Sequence, residues 1–489
     1  MPDPTGRSRS SPTASSPGLA PSPNVSLKFT LRRLEKNEVT EDDLPAGLLL
    51  IVLAAFACML PAQADTFYHL RSGQEMWRSG ALLTRELFSW TEYGHALPNH
   101  WWLSQLAFYG LYSLGGPLLL TIAAGACALA AVFLSWRLVT GSQELRIVLL
   151  MAYAVTLLEW SVRPQVFSLL LTVVAIRLVL SGRYPFLPLL LVLWANLHAV
   201  VVLGIAIAWV PLLDAIAFDR SRVRRALLVA LVSLAAPAMT PLGVHFWPWL
   251  LDTVRVSRAL GLQEYQSAFT LDPTAGGFWL LVAALLVGIV RKRTVLAASD
   301  RQTRQLVIAA VILAPAALTS LRNIPFFALV AIPAISRLFQ TESVARVRPA
   351  SRMAWSMMGA AALVAIVMIS IKWTDGGRYL GWRPLSPAAI AAIRSCPDRL
   401  YNTLYEGGLM IWFVPERRVF IDGRVDVYPV AMSLRARRAD LEGQYRDLFA
   451  EHGIQCAVVR RDSQLFASLR QDGVMPLTFS DDDWAVFVR

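Results

Sequence analysis

Long apolar runs separated by short polar segments are the feature that most limits how this chain folds. Most of the runs reach or approach the roughly 20 residues that a helix needs to cross a bilayer. Their lengths, and the prolines and charges between them, predict about eleven membrane spans. The predicted spans cover residues 44–61, 117–139, 145–160, 164–180, 185–197, 199–218, 226–241, 277–290, 305–321, 324–335 and 353–371. The boundary between the fifth and sixth spans stays open, because this region also fits one long helix and one short one.

The composition agrees with a membrane protein. Of the 489 residues, 55% are hydrophobic and only 16% are charged, whereas a soluble globular chain is nearer a quarter charged. The net charge of +12 does not indicate a nucleic-acid partner. Its arginines lie in short loops between apolar runs, and not on a surface that mixes basic and aromatic residues. We therefore predict a polytopic α-helical membrane protein with no nucleic-acid partner.

The basic loops predict the orientation in the membrane. Residues 1–43 are rich in Ser, Pro and charge, and we interpret them as a disordered cytoplasmic tail. Arginines cluster in segments 219–225, 291–304 and 337–352. With the tail in the cytoplasm, all three clusters fall on the cytoplasmic side, as the positive-inside rule requires. An odd number of spans then places the chain after residue 371 outside the cytoplasm.

The composition changes after residue 371, at the end of the transmembrane domain 44–371. Residues 372–489 alternate apolar and polar positions, which predicts a small extracytoplasmic α/β domain. Its cysteines, Cys396 and Cys456, lie in a compartment that permits disulfides, but the sequence leaves their pairing open. The predicted strands are 418–421, 457–459 and 484–488, and the predicted helices are 386–394, 433–449 and 463–470.

The same topology gathers polar residues at the outer face of the membrane. Asp65 begins the first extracytoplasmic loop, 62–116, just beyond the first span. Charges beside a bilayer tend to mark function, although Asp65 alone also fits a carboxylate that ends a helix at the headgroups, and Arg322 alone fits a snorkelling anchor. The other polar residues on this side are Glu159, Arg163, His198, Arg322 and Asn323, with the loop 241–276. Such convergence is what an enzyme or a receptor site requires.

Short motifs in this arrangement resemble a known family. The motifs are DTFYHLRSG (65–73), FSW (88–90), NHWWL (99–103), RPQVFS (163–168), WANLH (194–198), RNIP (322–325) and FIDGRVDVY (420–428). In this order and spacing they resemble bacterial GT-C-type membrane glycosyltransferases, in the branch related to the dolichyl-phosphate-mannose protein mannosyltransferases. The resemblance covers most of the chain beyond the N-terminal tail.

The resemblance implies a reaction as well as a fold. An inverting enzyme of the bacterial inner membrane would move a sugar from a polyprenyl-phosphate-linked donor to a glycan, lipid or protein acceptor on the outer face. Asp65 would be the catalytic base, and Arg163 or Arg322 would contact the phosphate. The residues expected to bind substrate are His69, Arg71, Glu86, His100, Arg163, His198, Arg322 and Asn323. Each histidine also fits a structural hydrogen bond at the interface.

The chain departs from the family pattern at two acids. Gln63 stands where relatives often carry a second acid, and Glu86 is one methylene longer than the usual residue. We therefore predict no metal and no other cofactor. Segment 422–426 fits an acceptor or metal site, but its Asp-Gly pair favours a turn held by an internal Arg–Asp pair. Two further functions remain open from the sequence: a non-catalytic GT-C-like scaffold, and a lipid or solute transporter.

Overall fold

The computed structural model describes residues 44–270, 272–340 and 351–489. The predicted N-terminal tail and two arginines of the third basic cluster, Arg346 and Arg348, lie outside the described residues. The described chain folds into a helical membrane domain and a small α/β domain with one sheet, which confirms the predicted fold class.

The membrane domain contains fourteen α-helices among the described residues. They are α1 (Leu44–Ala57), α2 (Ala64–Ser79), α3 (Trp102–Trp136), α4 (Gln143–Ala152), α5 (Gln165–Leu180), α6 (Leu187–Leu197), α7 (Val201–Ala208), α8 (Val210–Phe218), α9 (Val223–Ala235), α10 (Phe246–Ala259), α11 (Pro273–Lys292), α12 (Arg301–Thr319), α13 (Ile324–Leu338) and α14 (Arg352–Lys372). Nearly all are apolar around much of their circumference, as helices in lipid must be.

Six helical segments in the described chain are long and apolar enough to cross a membrane. They are Trp102–Trp136, Val201–Phe218, Pro273–Lys292, Arg301–Thr319, Leu321–Leu338 and Arg352–Lys372. Helices α9 and α10 form a further pair that is bent by 106° at a short break. Shorter apolar helices lie at Gly47–Ala57, Gln165–Leu180 and Tyr184–Leu197. The chain is therefore an integral membrane protein, and the count of about eleven spans stays a prediction.

Two breaks in the helices fall at predicted boundaries. Helix α3 is kinked at Gly115 and Gly116, and Gly116 has a positive φ of 62°. Pro117 follows, where the sequence predicts the second span to begin. The kink divides α3 into two helical segments. His198 ends α6 in extended backbone before α7 starts, so this region forms separate helices.

The basic clusters meet at one end of the membrane domain. The buried carboxylate of Asp214, on α8, lies 3.6 Å from Arg222 and 3.1 Å from Arg304. Arg337 donates a hydrogen bond to Gln302 at 3.5 Å. These contacts join residues from all three predicted basic clusters. The shared position is what the predicted orientation requires.

The C-terminal domain contains one four-stranded sheet and five α-helices among the described residues. They are α15 (Pro387–Arg394), β1 (Leu400–Asn402), α16 (Gly407–Phe413), α17 (Val430–Glu442), α18 (Arg446–His452), β2 (Cys456–Arg460), α19 (Gln464–Asp472), β3 (Leu477–Ser480) and β4 (Trp484–Val488). The strand order is β1-β2-β4-β3, with β1 parallel to β2 and the other pairs antiparallel. A disulfide joins Cys396 to Cys456.

Two predictions for this domain were wrong, and each error has a local cause. Residues 418–421 are not a strand of the sheet, because the backbone of Val419 pairs with the first loop at Phe88 and Trp90. Residues 433–449 are not one helix, because Gly443 adopts a positive φ of 70° and ends α17. Strands β1 and β3 are short and were not predicted. Strands β2 and β4 confirm the predicted ones.

The first loop and the C-terminal domain share a core. Tyr68 and Met76 of α2 are buried with Leu400, Val458 and Trp484 of the sheet. Burial of each large apolar side chain at this contact stabilises the folded protein by roughly 1.5–3 kcal/mol. The C-terminal domain is thereby held against α2, the helix that carries Asp65.

Helix α16 passes so close to α2 that a glycine is required at position 408. A Cβ atom at Gly408 would overlap the carbonyl oxygen of Ala64. We expect Gly408→Ala to push α16 away from α2 and to destabilise the protein by about 1–3 kcal/mol, the usual cost of overpacking. The measurement is the thermal unfolding midpoint of the purified protein. Gly276→Ala, on an exposed helix position with open space around it, is the control and should unfold at or above the wild-type midpoint.

Candidate active site

Asp65 lies in the first turn of α2, at the boundary between the two domains. The turn is held by a hydrogen bond from the Gln63 amide to Thr66 Oγ1 at 2.9 Å. Thr66 Oγ1 in turn donates to the Val162 carbonyl at 2.7 Å. The Asp65 side chain keeps 31% of its surface exposed. Hydrogen bonds therefore hold the first turn of α2 against residue 162, while the Asp65 carboxylate stays accessible.

A network of ion pairs surrounds the Asp65 carboxylate. Arg163, which precedes α5, lies 3.3 Å from Asp65 and 3.7 Å from Glu159. Glu264 accepts contacts from two guanidinium groups, at 3.3 Å from Arg163 and at 3.1 Å from Arg322. Four separate segments of the membrane domain thus meet at one cluster. The sequence predicts four of these five residues at this face, and Glu264 only as part of the loop 241–276.

Two cavities adjoin this network. The larger has a volume of about 720 Å³ and the smaller about 80 Å³. Both are lined by Asp65, Leu262, Glu264 and Gly423. The larger is also lined by Glu159, Arg163, Asp272, Tyr405, Glu406 and Arg460, and the smaller by His69, Gln165, His198, Arg322, Arg424 and Asp426. Asp65 therefore stands where the two cavities meet.

Burial sets the charge of the groups that line the cavities. Desolvation raises the pKa of Asp65 above its ordinary value, and the nearby Arg163 guanidinium only partly offsets this. Burial also raises the pKa of Glu264, but Arg322 and Arg163 outweigh it and hold that pKa below its ordinary value. Burial lowers the pKa of His69 and of His198 well below the usual range. Both imidazoles are therefore neutral at pH 7 and able to hydrogen-bond to a substrate.

The two histidines that line the smaller cavity are oriented by hydrogen bonds. His69 Nδ1 lies 3.4 Å from Gln105 Nε2. His198 Nδ1 lies 2.9 Å from Ser168 Oγ, which also accepts a bond from Trp194. Both predicted residues are thus brought to the Asp65 cluster, with each ring fixed by a structural bond.

Four predicted substrate-binding residues are not brought to this cluster. Arg71 pairs with Glu75 at 2.8 Å and lines a different groove of about 520 Å³. His100 is buried between aromatic rings, 4.0 Å from that of Trp249. The Asn323 side chain donates a hydrogen bond to the Ala316 carbonyl in the last turn of α12. The fourth, Glu86, is paired with an arginine of the C-terminal domain.

That arginine belongs to segment 422–426, which covers the site. Arg424 is buried, 2.6 Å from Asp422 and 2.6 Å from Glu86, so the predicted turn with an internal Arg–Asp pair is confirmed. Gly423 passes so close to the site that a Cβ there would lie 3.0 Å from Asp65 Oδ1. The segment therefore both holds the first loop and forms a wall of the two cavities.

The C-terminal domain contributes two acids that are not among the predicted substrate-binding residues, Glu406 and Asp426. Burial raises the pKa of Glu406 to about 8 and that of Asp426 to about 6. Each has one buried carboxylate oxygen with no hydrogen-bond partner in the described structure. Trp249 donates to the other oxygen of Asp426 at 3.1 Å. Asp426 belongs to a motif that was noted, whereas nothing in the sequence distinguishes Glu406.

Glu159 and Glu264, the other acids of the Asp65 cluster, each pair with Arg163. Glu86 receives two backbone N–H groups and the Arg424 guanidinium. Among the described residues, no group of three His, Cys, Asp or Glu side chains could hold a metal ion.

The helical domain, the loop helix α2 and the attached α/β domain define a membrane protein with a GT-C-type fold. The similar solved structures include the oligosaccharyltransferase of Archaeoglobus fulgidus in the apo form, with a TM-score of 0.52 and 11% identity over 84% of this chain and 69% of that one. They also include AglB of the same organism with an inhibitory peptide and a dolichol-phosphate, with a TM-score of 0.52, 14% identity and the same coverage. No family model and no curated protein matches the chain.

Proposed function

We propose that this protein is a glycosyltransferase that moves a sugar from a polyprenyl-phosphate-linked donor to an acceptor at the outer face of the membrane. The observation that carries the proposal is the pairing of Asp65 with Arg163 at the junction of two cavities, with Arg322 on the smaller one. A carboxylate and arginines at one membrane face are the groups that this reaction requires.

Asp65 acts as the base in this mechanism. Its carboxylate accepts the proton of the attacking acceptor hydroxyl as the hydroxyl oxygen bonds to the anomeric carbon of the sugar. The bond from that carbon to the phosphate oxygen breaks, and its electron pair leaves with the phosphate. A single displacement of this kind inverts the anomeric configuration. The raised pKa of Asp65 makes it a stronger base than an ordinary aspartate.

Arginine stabilises the departing polyprenyl phosphate. The Arg322 guanidinium faces the smaller cavity beside Asp65, and Arg163 reaches Asp65 itself. The planar guanidinium matches two phosphate oxygens at once. Neutral His69 and His198 hydrogen-bond to the phosphate or to the sugar. The larger cavity, which the C-terminal domain completes through Tyr405, receives the acceptor.

The proposed setting is the inner membrane of a bacterium, with the C-terminal domain outside the cytoplasm. The disulfide between Cys396 and Cys456 supports an oxidising compartment for that domain. The basic clusters around Asp214 support a cytoplasmic position for the opposite end. A cell-envelope glycan, lipid or protein is then the class of acceptor that reaches the site.

The test is transfer of labelled sugar from polyprenyl-phosphate donors to envelope acceptors by the purified protein. We expect Arg322→Ala to lower kcat/KM for the donor by about 10–100-fold, because a charge-assisted contact to phosphate is lost. Arg255→Ala is the matched control, since Arg255 is 77% exposed and pairs with Asp252 away from the cavities. Wild-type protein that transfers no sugar from any such donor would contradict the proposed function.

A further inference from the structure

Glu264 occupies the position between the two arginines that a phosphate would need. Its Oε2 lies 3.3 Å from Arg163 Nη2, and its Oε1 lies 3.1 Å from Arg322 Nη1. One carboxylate therefore bridges two guanidinium groups that come from different parts of the chain. Two oxygens presented to two guanidinium groups are the geometry by which arginines bind phosphate.

Glu264 and a phosphate compete for the same two arginines, because both carry negative charge. At formal charge the network contains three carboxylates, of Asp65, Glu159 and Glu264, and two guanidinium groups. The Glu264 carboxylate, which contacts both guanidinium groups, repels a phosphate that approaches them. Removal of the Glu264 carboxylate leaves two groups of each sign. A phosphate therefore reaches the arginines more readily when Glu264 has left them.

The segment that carries Glu264 buries little surface, although backbone hydrogen bonds from Ala268 to Leu318 and from Leu321 to Gln266 connect it to the membrane domain. Glu264 lies in the 3-10 turn Gln263–Tyr265. Of the ten described residues 261–270, Ala268 is the one that is buried. Ser320 Oγ donates to the Glu264 carbonyl at 2.8 Å and holds the turn against the membrane domain. Segments with few buried apolar contacts open locally at low free energy.

We propose that Glu264 is an exchangeable occupant of the phosphate-binding position, which the phosphate of the lipid-linked donor displaces from Arg163 and Arg322. This proposal rests on the proposed function, since it concerns the donor site of the same reaction. The ion pairs of Glu264 hold the two arginines in place before the donor binds. Donor binding then exchanges one anion for another and moves residues 261–270 away from the cavities.

The first test is the affinity for a lipid phosphate. Undecaprenyl phosphate is titrated into the purified full-length protein in lipid nanodiscs, for the wild type and for Glu264→Gln. We expect Glu264→Gln to bind about tenfold more tightly, because a competing charge has been removed from the arginines. Gln266→Ala is the matched control, since Gln266 is exposed on the same segment and lines neither cavity. Its affinity should equal that of the wild type.

The outcomes separate this proposal from the proposed function. Equal or weaker binding by Glu264→Gln, with clear binding by the wild type, would show that Glu264 helps to hold the phosphate, and would overturn the proposal alone. Binding by neither protein would overturn the proposed function. Parallel titrations with inorganic phosphate and with phosphatidylglycerol distinguish a free anion and a phospholipid headgroup from the polyprenyl ligand.

A second measurement uses the wild type and does not depend on how the variant folds. Hydrogen–deuterium exchange is followed over residues 261–270 with and without undecaprenyl phosphate. Movement of residues 261–270 away from the cavities breaks the hydrogen bond from the Ala268 N–H to the Leu318 carbonyl, so we expect exchange in this segment to rise on binding. Unchanged or slower exchange, at saturating lipid phosphate, would contradict the proposal.

Discussion

Asp65→Asn is expected to lower kcat for sugar transfer by about 10²–10⁴-fold, the usual contribution of general-base assistance. Asparagine keeps the size of the side chain and its place in the first turn of α2, but it cannot accept the proton of the acceptor hydroxyl. The loss should appear in kcat more than in KM for the donor, because the proton moves only in the transition state. The measurement is the initial rate of labelled-sugar transfer at saturating donor.

The pH dependence of the transfer rate tests the role of Asp65 independently. Burial raises the pKa of Asp65, and the ionised form is the active one. Transfer by the wild type should therefore fall as the pH drops through this raised pKa, at a higher pH than the value of about 3.9 for an ordinary aspartate. The residual rate of Asp65→Asn should lack this acidic decline.

A matched control separates loss of the base from a general loss of charge. Asp252 lies on α10 and is 69% exposed, so Asp252→Asn removes a carboxylate from the same chain without touching the cavities. This variant should transfer sugar at the wild-type rate. If Asp65→Asn, recovered at wild-type yield, transfers at the full rate, then Asp65 is not the base.

Arg424→Met is expected to destabilise the protein by about 3–5 kcal/mol, because it leaves buried carboxylates without their partner. Arg424 is buried with Asp422 and Glu86, at 2.6 Å from each. Tyr428 donates to the same Asp422 carboxylate at 2.7 Å. Methionine fills much of the volume but supplies no donor, so two charged groups lose their partner in the interior.

Arg424→Met should also loosen the candidate active site. Arg424 joins the first loop to the segment that passes over Asp65, so its loss should also loosen the wall formed by Gly423. The measurement is the apparent thermal midpoint together with protease sensitivity of the first loop. Arg435→Met is the control, because Arg435 forms an exposed pair with Glu451 and surface pairs contribute at most about 1 kcal/mol. Equal midpoints for the two variants would contradict a stabilising role for the buried cluster.

The roles assigned to His100 and Glu86 show why the motifs alone misplace some side chains. Both residues lie within motifs or loops that belong to the outer face, and both are polar. Their neighbours come from distant parts of the chain: His100 packs on Trp249, and Glu86 pairs with Arg424. A motif records which residue types occur together, but not which of them face a cavity.

Glu264 and Glu406 show the converse: both line a cavity, but no pattern in the neighbouring sequence predicts this. Glu264 lies in a short turn between α10 and α11, and Glu406 precedes α16. Each is an ordinary glutamate in its own segment. They become notable only because folding places Glu264 beside Arg163 and Arg322, and places Glu406 on the cavity that Asp65 also lines.

The sequence by itself determined the membrane fold, the presence of a small C-terminal α/β fold, the strands β2 and β4, and the common position of the basic clusters. These features depend on the length and periodicity of apolar runs and on local charge, which act over a few turns of the chain. Only the tertiary structure decided which polar groups share a cavity. Arg163 reaches Asp65 across 98 positions, and Arg424 reaches Glu86 across 338. Contacts at such separations depend on how whole helices and domains pack, because burial against distant partners outweighs local preference.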